Sequence, residues 1–246
     1  MMPDNIFEDL VRDIIHTVPT YIPGKSIESL KRELDLDHIV KLASNENPLG
    51  PAVTNMAKLK SALTQYYPDY QEHPVYDSIA KKFSVNRDQI ILGNGSDEII
   101  HMLAMAFLNK GDELLTADCT FAEYEFAGKL MDARINEVPL KDNTYDLFSM
   151  LPHASQKTKL IFIANPNNPT GTIITHKQLE EFMSFVPRST VVVIDEAYLE
   201  YATDKEYPRS LEILPNYENM IILRTFSNVY GLASLRIGYG IAAINY

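Results

Sequence analysis

Seven short apolar segments, separated by segments with a helical pattern, occupy the chain from residue 89 onward. Their nearly continuous apolar character is typical of strands that are covered on both faces of a sheet. Because these strands alternate with helices, the sequence predicts an open α/β sheet that is mostly parallel. The predicted strands are residues 89–93, 113–117, 133–140, 159–165, 190–198, 220–226 and 236–242.

Helices are predicted between and before these strands. Residues 95–111 are apolar at helical spacing, and residues 174–185 begin with Thr175 and Gln178 at the spacing of a capping box. At the start of the chain, apolar residues recur at helical spacing over residues 6–15 and predict an amphipathic helix. The other predicted helices include residues 26–34, with Ser26 as the cap, and residues 75–83.

The composition excludes several classes of partner. The formal net charge is -11 and the pI is about 5.0, which disfavours binding to nucleic acid or to an anionic membrane surface. The single cysteine, Cys119, cannot form an internal disulfide, which fits a reducing cytoplasm. No signal peptide or long apolar span is expected. No histidine lies at metal-ligand spacing from another histidine or the cysteine, so no metal site is predicted.

Polar segments with glycine or proline lie at the carboxyl ends of four predicted strands. They are GNGSDE at residues 93–98, NPNNPTG at 165–171, DEAY at 195–198 and TFSN at 225–228. In open α/β sheets, ligands bind beyond the carboxyl ends of the strands. We therefore expect these four segments, which are far apart in sequence, to meet at one crevice.

The GNGSDE segment joins a strand to an apolar helix. Its small residues allow close approach of a ligand, and the free N–H groups at a helix start favour a phosphate. The alternative is a tight turn that Ser96 or Asp97 caps. The segment does not match the dinucleotide fingerprint, because Glu98 stands where the third glycine would be. A nicotinamide-dependent dehydrogenase is therefore disfavoured.

NPNNPTG and DEAY carry more specific signals. Two X-Pro units in NPNNPTG favour extended geometry that would hold an asparagine side chain in place, although a plain proline-rich loop is the alternative. Asp195 ends an apolar strand, where a carboxylate is costly unless a cation or a hydrogen-bond donor meets it. A protonated pyridine nitrogen would serve. Alternatively, Asp195 caps the following helix.

Together these segments resemble the fold-type I, pyridoxal-phosphate-dependent aminotransferases. NENPLGP at residues 45–51, Tyr67–Pro68, GNGSDE, NPNNPTG, DEAY and TFSNVYGLASLRIGYG at 225–240 occur in the family's order and at its spacing. YIPGKSIESLKREL and KLASNENPLGP are similar to the histidinol-phosphate subgroup and its aromatic-amino-acid relatives. The resemblance implies an aspartate-aminotransferase-like α/β fold: three α/β/α layers around a mixed, mostly parallel sheet of about seven strands.

The resemblance also implies a cofactor, pyridoxal 5'-phosphate, and the residues that bind it. Asp195 would pair with the ring nitrogen, Tyr124 would stack on the ring, and Asn168 and Tyr198 would hydrogen-bond the phenolic oxygen. For Tyr124 the alternative is an ordinary core aromatic residue. The expected phosphate-binding residues are Gly95, Ser96, Asp97, Thr225, Ser227 and Arg236.

The resemblance further implies a homodimer that acts on small amino-acid and keto-acid substrates. Tyr67 would reach the cofactor of the neighbouring subunit, and Tyr21 and Asn45 would lie near the substrate. The implied reaction moves an amino group between glutamate and imidazole-acetol phosphate, with L-histidinol phosphate and 2-oxoglutarate as products, in histidine biosynthesis. An aromatic-amino-acid aminotransferase of the same subgroup is the alternative substrate assignment.

The sequence departs from the family at the lysine that binds the cofactor covalently. This lysine belongs eight residues before Arg236, where the chain has Asn228. An amide cannot form that bond and is a very poor base, so we expect a severe loss of turnover and a cofactor held noncovalently. A noncatalytic protein that retains the binding site is therefore a further alternative.

The expected domain organisation follows from the same resemblance. Residues 1–44 would form an N-terminal arm and the start of a small domain, and residues 45–246 the large cofactor-binding domain. In the family, roughly another hundred residues follow and complete the small domain at ordinary domain size. The sequence therefore leads us to expect that this C-terminal part is absent from the chain.

Overall fold

A single seven-stranded sheet organises the part of the chain that the structure, a computed structural model, describes: residues 10–18, 27–52 and 74–243. All seven predicted strands are present, with bounds that differ by a few residues. The strands are β1 Ile90–Asn94, β2 Glu113–Ala117, β3 Arg134–Val138, β4 Thr158–Ala164, β5 Val191–Asp195, β6 Met220–Thr225 and β7 Ile237–Ala242.

The sheet is mixed and mostly parallel, as predicted. Its strand order is β1-β7-β6-β5-β4-β2-β3. Strand β7 runs antiparallel to both of its neighbours, β1 and β6, and the remaining pairs are parallel. Consequently β4, β5 and β6 all present their carboxyl ends at one edge of the sheet.

The described helices cover the sheet and precede it. They are α1 Ile27–Leu34, α2 Pro74–Phe83, α3 Gly95–Phe107, α4 Glu123–Leu130, α5 Leu147–Met150, α6 His176–Phe185 and α7 Ser210–Ile213. The capping box predicted for α6 is confirmed: the Gln178 amide donates to Thr175 Oγ1 at 3.3 Å, and the Thr175 amide donates to Gln178 Oε1 at 2.8 Å.

Two predictions of local structure were wrong. The fifth strand was predicted to reach residue 198 but ends at Asp195, because the chain turns there and the Ala197 amide donates to Asp195 Oδ1 at 3.1 Å. The amphipathic helix predicted over residues 6–15 is not found in its described part, where Asp13–Thr17 forms a 3-10 turn. Leu10 is 73% exposed, so this segment lacks the packing that stabilises an amphipathic helix.

The core is deepest along the central strands β4 and β5. Residues Leu160–Ile163 of β4 and Val192–Ile194 of β5 are fully buried. The Phe162 ring stacks on Tyr124 of α4, with 4.7 Å between the ring centroids and 9° between the planes. This stack fixes α4 against the sheet at the edge where the polar segments meet. In the part of the chain that the structure describes, no helix is both long and apolar enough to cross a membrane.

Replacing Phe162 with alanine should lower the free energy of unfolding by roughly 3–5 kcal/mol, because a fully buried aromatic ring would leave a cavity. Urea denaturation measures this difference. Phe185→Ala is the matched control, since Phe185 is 62% exposed and should lose less than about 1 kcal/mol. Equal losses in the two variants would contradict the assigned core.

Candidate active site

A cavity of about 630 Å³ lies at the carboxyl ends of β4, β5 and β6 and at the start of α3. The segments expected to converge therefore do meet. Tyr21 and Tyr67 lie outside the described residues. All the other predicted site residues line this cavity: Asn45, Gly95, Ser96, Asp97, Tyr124, Asn168, Asp195, Tyr198, Thr225, Ser227, Asn228 and Arg236.

At the start of α3, the backbone packs closely against Arg236 and β7. Gly95 has φ +79°, and a Cβ there would stand 2.5 Å from Arg236 Nη2. A Cβ on Gly238 would stand 2.3 Å from the Ser96 nitrogen, so β7 also packs directly against this turn. Glycine is required by space at Gly238, where the neighbours are backbone atoms, and by backbone conformation at Gly95. The result places the first amides of a 13-residue helix beside a guanidinium group, which is a favourable arrangement for an anion.

Hydrogen bonds to residues around the start of α3 hold the Arg236 guanidinium in place. Its Nη2 donates to the Asn94 carbonyl at 3.1 Å and to Asp97 Oδ2 at 3.0 Å. Its backbone lies in the left-handed region at φ 51°, a conformation that costs energy in residues with a side chain and is often found at functional sites. Its side chain remains 45% exposed, so the guanidinium can still meet a ligand.

The first turn of α3 and Arg236, here called the anion cradle, share the cavity with Thr225 and Ser227. Thr225 Oγ1 donates to Ser227 Oγ at 2.9 Å, and the Ser227 amide donates to Thr225 Oγ1 at 3.1 Å. Neither Ser96 nor Asp97 caps α3 through its side chain, in contrast to the alternative expectation for GNGSDE. The Asn94 amide instead donates to Glu98 Oε2 at 2.7 Å. Gly95, Ser96 and Asp97 thus line the cavity together with these two hydroxyl groups and the Arg236 guanidinium.

Asp195 is a buried carboxylate with two donors. The Tyr124 hydroxyl donates to Oδ2 at 2.8 Å, and the Ala197 amide donates to Oδ1 at 3.1 Å. Burial raises the pKa of Asp195 to about 6, and the nearby carboxylates Asp97 and Glu196 act in the same direction, while the Tyr124 hydroxyl opposes them. Above pH 6 the group is therefore mainly ionised and favours a cation on any ligand that reaches it.

The next residue, Glu196, is paired with an arginine through one of its two oxygens. Its Oε2 accepts from Arg224 Nε at 2.8 Å and from Arg224 Nη2 at 2.7 Å, on the opposite side of β5. Among the described residues, Asp195 forms no ion pair of this kind. A buried negative charge of this type is best matched by a cation that the ligand itself brings.

Tyr124 lines the cavity, but its ring and hydroxyl already have partners within the protein. Tyr124 is fully buried, one ring face lies against Phe162, and its hydroxyl is bound to Asp195. Phe121 also lines the cavity, is partly buried and meets the Tyr124 ring edge-on at 5.6 Å. The sequence analysis missed Phe121, although its position shortly after β2 pointed to the same edge of the sheet.

Tyr198 and Asn45 are joined across the cavity mouth, where Asn45 Nδ2 donates to Tyr198 Oη at 2.9 Å. Asn168 lies beside them and also faces a second cavity of about 750 Å³ that continues from the first. Glu46 lines both cavities and is paired with Lys41 at 2.6 Å. The NENPLGP segment thus contributes polar groups to the entrance of the site.

The same segment holds the loop that carries Asn228. Asn47 Nδ2 donates to the Val229 carbonyl at 2.9 Å, and the Ala52 amide donates to the Tyr230 carbonyl at 2.9 Å. A Cβ on Gly231 would lie 2.3 Å from the Gly50 carbonyl oxygen. Asn228 lines the cavity, and no lysine is among the described residues that do so. The donor set fits a phosphorylated, cationic aromatic ring but offers no amine to bond it covalently.

An anion cradle, a buried carboxylate and an aromatic face around one cavity, on this sheet topology, define an α/β transferase domain of fold-type I. The family model for aminotransferase class I and II matches residues 37–244, and the chain belongs to that family. No group of three or more His, Cys, Asp or Glu side chains suited to a metal ion is found within the described ranges.

Several histidinol-phosphate aminotransferases are similar to the chain in sequence. The protein from Moorella thermoacetica is 46% identical over 234 residues, which cover 94% of this chain and 61% of the relative. The protein from Caldicellulosiruptor saccharolyticus is 46% identical, with 95% of this chain and 66% of the relative covered. The chain therefore spans about three fifths to two thirds of the length of these curated relatives.

Solved structures agree with this fold. One is the crystal structure of histidinol-phosphate aminotransferase from Sinorhizobium meliloti in complex with pyridoxal-5'-phosphate. It matches this chain with a TM-score of 0.84 at 27% identity, and the match covers 94% of this chain and 62% of the crystallised chain. An aromatic aminotransferase from Pyrococcus horikoshii has a TM-score of 0.73 at 25% identity, covering 86% of this chain and 61% of its own. The predicted three-layer, aspartate-aminotransferase-like fold is confirmed.

Gly231→Ala should destabilise the protein by roughly 1–3 kcal/mol more than Gly111→Ala, because only the new Cβ at 231 would collide with a backbone carbonyl. Both glycines have positive φ, +62° and +84°, so the backbone strain is matched, and nothing lies within 4 Å of a Cβ at Gly111. Urea denaturation of the two variants gives the difference. Equal losses would show that the NENPLGP segment does not press on the 228–231 loop.

Proposed function

We propose that this chain is the cofactor-binding part of a histidinol-phosphate-type aminotransferase and that it holds pyridoxal 5'-phosphate noncovalently. The observation that carries the proposal is the single cavity lined by both the buried Asp195 carboxylate and the Arg236–α3 cradle. A ligand that satisfies both needs a phosphate at one end and a cationic ring nitrogen at the other. Family membership and the named relatives support the same cofactor.

The side chains would act on the cofactor in three ways. The amides of Gly95, Ser96 and Asp97 would donate to the phosphate, with Thr225, Ser227 and Arg236 completing its shell. Asp195 would keep a proton on the ring nitrogen, and the bound ring would then serve as an electron sink for amino-group chemistry. Phe121 would offer the ring a partner for stacking in place of Tyr124.

Other residues would orient the ligand at its remaining edge. Tyr198 and Asn168 would hydrogen-bond the phenolic oxygen, and Asn45, which already donates to Tyr198, would sit at the substrate side. The second cavity, beyond Asn168, leaves room for an amino-acid or keto-acid substrate. Exchange of an amino group between glutamate and imidazole-acetol phosphate, in histidine biosynthesis, is the reaction that the named relatives favour.

Position 228 limits what the chain can catalyse. In the family this residue is the lysine that bonds the cofactor and moves a proton between substrate and cofactor carbon. Asn228 lines the cavity and can donate or accept a hydrogen bond, but an amide has negligible basicity near neutral pH. The proton transfer would therefore lack its base, and turnover would be severely reduced.

The assembly and location form part of the same proposal. We propose a cytoplasmic homodimer in which Tyr67, which lies outside the described residues, reaches the phosphate site of the neighbouring subunit. Residues 1–44 would serve as an arm and the start of a small domain, and residues 45–246 as the large domain. The single cysteine and the net charge of -11 fit this setting.

A second candidate function is noncatalytic binding of the cofactor, and Asn228 is the observation that favours it. An aromatic-amino-acid substrate is the alternative within the catalytic assignment. The aromatic aminotransferase from Pyrococcus horikoshii shares the fold at a TM-score of 0.73.

Each protein is incubated with pyridoxal 5'-phosphate and then reduced with borohydride. The unchanged chain should carry no covalently bound cofactor at residue 228, whereas the Asn228→Lys variant should be covalently labelled there. The reason is that the variant restores a primary amine at the lining of the cavity. Peptide mass spectrometry identifies the labelled position and excludes labelling of surface lysines. Without borohydride, the Asn228→Lys variant should convert its bound cofactor to the amine form with L-histidinol phosphate faster than with phenylalanine.

Three outcomes are informative. Labelling at a different lysine inside the cavity of the unchanged chain would refute the noncovalent assignment. Faster conversion by phenylalanine in the Asn228→Lys variant would replace the substrate assignment with the aromatic one. Failure of both chains to bind the cofactor would reject the proposed function as a whole.

Arg236→Gln should weaken binding of pyridoxal 5'-phosphate by about tenfold to a hundredfold, because one charge-assisted pair to the phosphate is lost. Binding of pyridoxal, which lacks the phosphate, should change less than about twofold. Fluorescence titration measures both affinities. Arg209→Gln is the control, since the Arg209 side chain is 70% exposed and pairs with Glu212 on the surface. An equal loss for both ligands would contradict the phosphate role of Arg236.

A further inference from the structure

Tyr124 is packed in a way that fixes the direction of its hydroxyl. The ring is fully buried between the stacked Phe162 and the edge-on Phe121, at centroid distances of 4.7 Å and 5.6 Å. Its hydroxyl lies 2.8 Å from Asp195 Oδ2. Burial, followed by the Asp195 charge, raises the pKa of Tyr124 well above its usual value. The hydroxyl therefore stays protonated and remains a donor near neutral pH.

The two donors to Asp195 come from different elements. The Tyr124 hydroxyl, from α4, serves Oδ2, and the Ala197 amide, in the turn after β5, serves Oδ1. Each oxygen keeps further acceptor capacity for the cavity, since an ionised carboxylate has about four lone-pair sites. The carboxylate is thus held at both oxygens and is not free to rotate about its terminal bond.

The surroundings of Asp195 would otherwise favour its neutral form. The side chain is 4% exposed at the end of an apolar strand, and the carboxylates of Asp97 and Glu196 both oppose a further negative charge. The hydroxyl of Tyr124 is the strongest influence that favours the ionised form, ahead of the Ala197 amide. A neutral Asp195 could still accept a hydrogen bond but would no longer favour a cation on the ring nitrogen.

We propose that Tyr124 is a positioning residue whose hydroxyl keeps Asp195 ionised and aimed at the ring nitrogen of the bound cofactor. This inference rests on the proposed function, because it assumes that the cavity holds pyridoxal 5'-phosphate. It replaces the stacking role that the sequence suggested. It also explains why a polar aromatic residue occupies a position whose packing phenylalanine could satisfy alone.

The test compares Tyr124→Phe with the matched variant Tyr145→Phe. Tyr145 is also buried, and its hydroxyl serves Thr120 at 2.7 Å rather than Asp195. Two quantities are measured with pyridoxal 5'-phosphate carrying ¹⁵N in the ring: the dissociation constant from pH 5 to 8.5, and the ring ¹⁵N chemical shift of the bound molecule. Free cofactor titrates in the same range, so each protein is compared with the unchanged chain at the same pH.

Tyr124→Phe should bind about tenfold more weakly at pH 7.5, and the pH below which binding fails should rise by about one unit. Losing a hydrogen bond to the charged form makes the Asp195 carboxyl take up its proton at higher pH, which gives this direction. The bound ring should move from the ¹⁵N shift of a protonated pyridine toward that of a neutral one. Tyr145→Phe should leave the pH profile and the ¹⁵N shift unchanged.

An unchanged ¹⁵N shift and pH profile in Tyr124→Phe would overturn the positioning role. Asp195→Asn is measured in parallel, and if it too keeps a protonated ring, Asp195 is not the nitrogen partner and the proposed function loses its anchor instead. Incorporation of 3-fluorotyrosine at position 124 tests the idea without removing the hydroxyl. It makes a stronger donor, so the pH profile should move in the opposite direction, and movement the same way as in Tyr124→Phe would reject the proposal.

Discussion

The buried carboxylate of Asp195 is the constraint around which the site is organised. It stands at the end of β5, between β4 and β6, where the sheet offers no exposed surface and burial raises its pKa to about 6. The Tyr124 hydroxyl and the Ala197 amide favour its charged form, and a cation on a ligand would favour that form further. The surrounding polar groups lie within reach of this charge because three parallel strands end at the same edge.

A second constraint links the NENPLGP segment, residues 45–51, to the loop at residues 228–231. The NENPLGP segment contacts the 228–231 loop through Asn47 and the close approach of Gly50 to Gly231, and it contacts Tyr198 through Asn45. These contacts join positions more than 150 residues apart. They bind the mouth of the cavity to the loop that carries residue 228, so the position of that loop does not depend on the identity of residue 228 alone.

The sequence was sufficient for the central strands because fully buried strands are mostly apolar, as in residues 160–164. The presence of hydrogen-bond donors around Asp195 was also predictable, since a carboxylate that ends an apolar strand requires a partner. The different packing of Tyr124 and Phe121 was not predictable. Both rings lie near the start of α4, and an apolar pattern does not show which of the two stacks on Phe162. The hydrogen bond from Asn47 to the Val229 carbonyl has no local signal either, because any backbone carbonyl could accept it.

The replacement at position 228 separates two properties that the family combines. The proposed phosphate cradle depends on Gly95, Arg236 and Gly238, whose close packing is set by backbone and guanidinium atoms and not by the side chain at 228. The charge proposed to meet the ring depends on Asp195 and Tyr124. Because both parts stand without a lysine, the loss of the covalent bond would leave these binding groups in place and remove only the base and the tether. The lifetime of a bound cofactor would then be set by the cradle and the carboxylate, as in an ordinary reversible complex.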